Sequence, residues 1–408
     1  MCIDFRRPES RIPLKSGLMR TDMGCSSRKG CVGDPMQFTP LSQVQSRVQV
    51  GAPLPFGIHD HDHTLLLARG QRVHSQNQLE ALFSRGALVD LAEVLSPAER
   101  IAQARPEELP GLWADCLGAV NRTLQNAHDE GFRDALETSS APVLALVARD
   151  PDLAIFQVLR QQGNQHVDYG VHHSTHAAIT GWLVAHRLGW SASECQRLFK
   201  TALTMNISML ELQGQLAVQT TPPTDEQRRA IHAHPTFSRQ MLEMAGVTDA
   251  DWLQAVEQHH EASDGQGYPH GLRTPSELAA LVHRVDVYTA KLTPRATRSA
   301  MAADKAGRIM FMQEPGHPMV AALVKEFGVY PPGCFVRLVS GETALVIKRG
   351  SALMAPIVAV VGNSRGAALP KPERRDTANP MHAVQCVLPA HADMAQLAPD
   401  QLLAVLTG

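Results

Sequence analysis

A chain of 408 residues is longer than one small domain needs and predicts two or three. Its 44% hydrophobic and 19% charged residues are those of a globular protein with a real core. A formal net charge of -2 gives no basic field for a nucleic acid polymer, which argues against that partner and leaves room for a small anionic ligand in a local pocket.

Residues 1–40 are rich in Arg, Ser, Gly, Pro and Met without apolar periodicity, and read as a flexible arm. The opening MCIDFRRPESRIPLKSG has no apolar stretch of signal-peptide length, and no run in the chain approaches a membrane span. The expectation is a cytoplasmic protein with no membrane partner. Seven cysteines (Cys2, Cys25, Cys31, Cys116, Cys195, Cys334, Cys386) are odd in number and lack CxxC spacing, which fits reduced thiols better than a disulfide framework or a zinc ribbon.

Residues 41–95 predict a small α/β module, with short strands broken by Gly, Pro and Asp turns and then a helix capped by Ser75. Within it, HDHDH (His59 to His63) would share one face of a strand and suggest a metal site. A polar hairpin turn between apolar strands is the simpler reading. Residues 96–160 carry helical periodicity, with Leu112, Cys116, Val120 and Leu124 on one expected buried face, and read as a helical connector. Residues 161–312 are helix-patterned almost throughout, with Ser191, Thr224, Thr248 and Ser276 as expected N-caps and Ser191–Glu194 as a capping box. In residues 313–408 the period changes. Val336 and Leu338, then Ala344 and Val346, alternate around SGET as a β-hairpin, APIVAVVG is a candidate third strand, and the tail carries no clear signal.

Histidines recur along the helical region: His172, His173, His176, His234, and the adjacent His259 and His260, followed by Asp286. Imidazole and carboxylate together suit iron, manganese or zinc, and helical bundles hold such ions by pointing side chains inward from several helices. Any one of these histidines alone reads more simply as a surface or hydrogen-bonded core residue. The adjacent pair in front of a glycine loop is less easily explained so, because neighbours on a helix point about 100° apart.

The stretches DYGVHHSTHAA, IHAHPTFSRQML, HHEASDGQGYPHGL and HRVDVYTAKLTPRATR, in this order and spacing, resemble the HD-GYP family, bacterial cyclic di-GMP hydrolases among the HD metal-dependent phosphohydrolases. FGVYPPGCFVRLVSGETALVI is similar to the segment that commonly follows that domain. The resemblance implies a mainly α fold, an HD-type helical bundle flanked by the small N-terminal α/β module and the C-terminal β-hairpin extension. It implies metal-ligand positions at His173, His234, His259, His260 and Asp286, and phosphate-holding positions at Arg295 and Arg298, whose guanidinium forks suit that role. A solvated helix face is the plainer reading of the two arginines. Gly265, Gly267, Tyr268 and Pro269 form the GYP loop, which the resemblance associates with GGDEF-domain partners.

The chain departs from the family at TALTMNISM (201–209), where the family reads roughly aaLLHDIGK. Met205 and Asn206 stand for the His-Asp dyad, Ser208 for the glycine and Met209 for the lysine. Asn206 offers one neutral oxygen where two cations need a bridging carboxylate, and Met205 offers a soft thioether. The metal served by His173, Met205, Asn206 and Asp286 is therefore expected to be lost. A divalent transition metal (Fe, Mn or Zn), at most one per chain, is expected at the three remaining histidines. Tyr169, four residues before His173, replaces a carboxylate used by some members, so a third metal is not expected. The implied function is a cyclic di-GMP signalling protein with lost or impaired phosphodiesterase activity, acting as a nucleotide sensor or partner-binding protein. The alternative is an active metal-dependent phosphodiesterase yielding pGpG or GMP, and a homodimer is left open.

Overall fold

The computed structural model describes residues 38–160 and 168–389. They fall in two units, one ending at Val94 and the other beginning at Leu95. The first contains β1 (Phe38–Pro40), a 3-10 turn (Leu41–Arg47), β2 (Ile58–His59), β3 (Leu65–Leu67), α1 (Gln76–Ser84), β4 (Leu88–Asp90) and the short α2 (Leu91–Val94). Its strands form an antiparallel sheet in the order β1-β4-β2-β3. Leu79 and Leu82 of α1 join Leu41, Phe56, Ile58 and Val89 in a small core. Ser75 caps α1 by accepting from the Gln78 amide. Of the arm expected over 1–40, Phe38–Pro40 are strand, and the rest lies outside the described residues.

The HDHDH stretch closes the turn between β2 and β3, with Asp60 and Thr64 bonded across it and His63 at φ 69°. Its histidines do not converge. The rings of His59 and His63 both lie against Phe38, at 5.1 and 4.2 Å, while His61 pairs with Asp60 at 2.9 Å.

The second unit runs α3 (Pro97–Gln103), α4 (Leu109–Gln125), α5 (Phe132–Arg149), α6 (Pro151–Arg160), α7 (Tyr169–Leu188), α8 (Ala192–Thr204) and α9 (Leu210–Val218). It continues through α10 (Asp225–Met244), α11 (Ala250–Gln258), α12 (Glu277–Leu292), α13 (Ala303–Gln313) and α14 (Pro318–Phe327). One hydrophobic core spans these helices from Ile101 to Phe327. Residues 96–160, expected as a connector, supply Trp113, Val120, Leu136, Val147 and Ile155 to it. The buried stripe of α4 is Leu109, Trp113, Leu117, Val120 and Leu124, so Leu112 and Cys116, expected on that face, sit half-buried on its flank. Trp113 sets the rotation, because burying the largest side chain removes the most apolar area from water.

Helix α7 is buried on nearly every side from Tyr169 to Ala185, as a run of small and apolar residues with histidines allows. Around it, Ser191, Thr224 and Ser276 cap α8, α10 and α12 as their sequences predict, the first two through capping boxes with Glu194 and Gln227. Thr248 does not cap α11; Asp249 does, accepting from the Trp252 amide at 3.1 Å. An anion at that position also complements the helix N-terminus.

The expected hairpin is present as β5 (Phe335–Leu338) and β6 (Thr343–Lys348), and the candidate third strand as β7 (Ile357–Gly362). The sheet is larger than expected: β8 (Ala368–Asp376) and β9 (Val384–Val387) complete the antiparallel order β8-β7-β6-β5-β9. In these two edge strands only Pro372 is buried, so they lack the alternation that marks a half-buried strand. The fold is thus mainly helical with a small sheet in each unit.

Candidate metal centre

His234, His259 and His260 place one nitrogen each within 4.8 Å of one another. Local chain chemistry aims the first two. Pro235 lies inside α10 and has no N–H to give the Ile231 carbonyl four residues earlier, so that oxygen is free to accept from His234 Nδ1 at 2.5 Å. His259 follows the last residue of α11, where terminal carbonyls lack helical partners, and its Nδ1 donates to the Val256 carbonyl at 2.6 Å. These bonds assign the proton to Nδ1 in both rings and leave Nε2 as a lone-pair donor. The two Nε2 atoms face each other at 3.2 Å.

Burial pushes His234 down to about 3, helped by the His259 imidazole beside it, and pushes His259 down to about 4 against the pull of Asp286. Burial also holds His260 well below its ordinary value. At neutral pH there is no proton for the facing Nε2 atoms to share. Two opposed lone pairs with a third imidazole alongside make a slot for a cation, and Nδ1–H bonded to a carbonyl is the support that metal-binding histidines usually have. The donor set fits a divalent transition metal: three neutral imidazoles leave a fourth position open.

The other expected ligands are arranged differently. His173 Nε2 and Asp286 Oδ1 are bonded to each other at 2.7 Å, with His173 2% and Asp286 8% exposed. Burial alone would push Asp286 up, but the His173 hydrogen bond and the nearby imidazoles hold its carboxyl well below the usual range. Met205 belongs to the hydrophobic core and Asn206 lines the cavity. The turn that carries them is fastened to α10 by Ser208, whose hydroxyl donates to the His234 carbonyl at 3.0 Å.

A cavity of about 220 Å³ opens between the two halves, lined by His173, Asn206, Met209, Gln213, His234, His260, Tyr268, Asp286 and Arg295 among others. Arg295 Nε donates to the Tyr169 hydroxyl at 2.8 Å, with its guanidinium 5.3 Å from the centre of that ring. Arg298 is not brought to the cavity. It is exposed and donates to the Ala290 carbonyl. Both follow the end of α12, where their backbones bond reciprocally at 2.8 and 2.9 Å, so the expected helix face is a tight turn.

The GYP loop is fastened at its base. Glu261, 2% exposed, accepts from the amides of His270 at 2.7 Å and Leu272 at 2.8 Å. Gly265 has φ 78°, a left-handed conformation that suits glycine, and a Cβ on Gly267 would lie 2.4 Å from Ala262 N and 2.5 Å from His260 O. Tyr268, before a cis bond to Pro269, stacks on His260 at 4.6 Å. Sequence reasoning missed Glu261, Pro235, Gln213 and the bond between Tyr169 and Arg295. Of these only Pro235 left a local signal, a proline beside a histidine inside a helical pattern.

Residues 164–314 match the family model described as HD domain. A cyclic di-GMP phosphodiesterase of Pseudomonas aeruginosa is 27% identical over 297 residues, covering 70% of this chain and 70% of that protein. A 3'3'-cGAMP-specific phosphodiesterase of Vibrio cholerae is 27% identical over 298 residues, covering 67% of this chain and 63% of that one. A solved structure of a HDG"Y"P protein from Bdellovibrio bacteriovorus is 14% identical with a TM-score of 0.47, covering 71% of this chain and 99% of that chain. Residues 164–314 thus carry an HD domain. No helix among the described residues is long and apolar enough to cross a membrane.

Proposed function

We propose that this chain is a cyclic-dinucleotide-binding member of the HD-GYP group that holds one transition metal at His234, His259 and His260 and has lost phosphodiester hydrolysis. The observation that carries the reading is the contrast across the cavity. Three imidazoles converge on a cation slot, while His173 and Asp286 are bonded to each other at 2.7 Å beside Asn206. Two-metal phosphodiester hydrolysis needs an anionic bridge between the ions, and Asn206 carries no charge to provide it. The nucleotide class comes from the two curated relatives, whose names give cyclic di-GMP and 3'3'-cGAMP.

Bound at the three histidines, a divalent metal would supply a Lewis-acidic contact for a phosphate oxygen. The chain's own residues do the remaining work. Arg295 has no carboxylate partner among the described residues; it donates to the Tyr169 phenol, which leaves the guanidinium charge for the ligand's phosphate. Tyr268 packs against His260 and fixes the ring that borders the cavity. A second reading, partner binding through the GYP loop, is favoured by its exposed Ser263, Asp264, Gln266 and His270 on a base fastened by Glu261. A GGDEF domain is the partner proposed for it, and a cytoplasmic location suits both readings.

Metal analysis of the purified protein, with titration calorimetry and a hydrolysis assay on cyclic di-GMP and 3'3'-cGAMP, tests this. The expected result is at most one metal per chain, binding of a cyclic dinucleotide and no pGpG or GMP. Two metals per chain with measurable turnover would establish the active phosphodiesterase instead.

A further inference from the structure

Two residues that line the cavity each carry a buried polar atom with no partner among the described residues: His173 Nδ1 and Gln213 Oε1. The first belongs to the histidine already described as bonded to Asp286 through Nε2. Gln213 belongs to nothing described so far. It lies on α9 and is 8% exposed. Its amide is held against Gly170 of α7, where a Cβ would come within 3.0 Å of Gln213 Oε1 and 2.6 Å of the Leu210 carbonyl. The two helices approach this closely because residue 170 is glycine, and the Gln213 amide occupies the space a side chain would need.

A buried carbonyl oxygen without a donor bears its full desolvation cost, and such atoms are uncommon in folded proteins unless a ligand or water completes them. The same cavity presents Arg295, which only donates, and the apolar Leu216 and Ile231. One polar group therefore seeks an anion and another seeks an N–H or O–H, with apolar wall nearby. A nucleotide carries both groups at fixed separation.

We propose that Gln213 is a specificity-determining residue that accepts a hydrogen bond from the bound nucleotide, given either by a base N–H or by a ribose 2′-hydroxyl. The inference rests on the nucleotide-binding reading above. It asks of Gln213 a recognition role that a packing residue would not have.

The test is Gln213→Leu in the full chain, with calorimetric titration of cyclic di-GMP, its 2′-deoxy analogue and cyclic di-AMP, and thermal unfolding without ligand. Leucine removes the unpaired oxygen, so the variant should unfold at the same temperature as the parent or higher. It should bind cyclic di-GMP roughly tenfold more weakly. The analogue that binds parent and variant alike identifies the donor: the 2′-deoxy compound for the hydroxyl, cyclic di-AMP for the guanine N–H. Unchanged affinity, or a lowered unfolding temperature that accounts for the weaker binding, overturns the proposal. If Arg295→Ala weakens binding and Gln213→Leu does not, the nucleotide reading stands and this one falls. If the parent binds none of the three compounds, both fall.

Discussion

The two halves of the cavity both carry buried histidines and end in opposite states. On one side, His234 and His259 have their Nδ1 protons taken by backbone carbonyls, so their Nε2 atoms are left facing each other without a proton between them. On the other, His173 Nε2 is bonded to Asp286 instead of facing another imidazole. A histidine cluster demands a cation when its protons are already committed elsewhere. It stops demanding one when a carboxylate is close enough to complete it.

The largest effect should come from His259→Ala, which takes metal content from about one equivalent per chain to near zero, measured by elemental analysis after dialysis. His173→Ala should leave that content unchanged, and equal losses in the two variants would erase the difference between the halves. Replacing Met205, Asn206 and Met209 together by His, Asp and Lys should raise the content toward about two equivalents, since a bridging carboxylate is restored. Met205 is 0% exposed in the core, so this variant should also lose about 1–3 kcal/mol of stability by denaturant titration.

A finer probe is Pro235→Ala. The new amide would claim the Ile231 carbonyl and release His234 Nδ1, weakening metal binding roughly 10–100-fold in a chelator competition while firming the helix. Unchanged affinity would show that the carbonyl bond does not orient the ring. The smallest contrast is between the arginines. Arg295→Ala should weaken nucleotide binding roughly tenfold or more, and Arg298→Ala by less than about twofold.

What could be read from the sequence follows from how local each cause is. Caps such as Ser75, Ser191 and Thr224 are decided within four residues, and the sequence shows them. The helical bundle was legible because the motif order and helical periodicity agree over a long stretch. The HDHDH stretch could be read as a turn for the same local reason. Arg298 could not be placed, because nothing in its spacing from Asp286 reveals that α12 stops at Leu292 and the chain turns. Gln213 was invisible because its meaning lies in the lack of a partner, and Glu261 because its partners are loop amides, which carry no side-chain signal. The strands β8 and β9 were missed because neither carries a regular alternation of buried and exposed residues.

The clamp beneath the C-terminal sheet sets the smallest piece of this protein that can stand alone. Asp152 of α6 and Glu326 of α14 are 9% and 5% exposed, and Arg349, just past β6, pairs with both, while Arg187 of α7 adds a second cation to Glu326. The family match stops at residue 314, short of Phe327, on which Tyr288 of α12 packs at 4.9 Å, and short of Arg349. Excising 164–314 would remove Asp152, Glu326 and Arg349 together and open the core along α7 and α12. The family match is therefore shorter than the packed unit that contains it, and the shortest fragment expected to keep its histidines in place runs from about Leu95 through the last strand of the sheet.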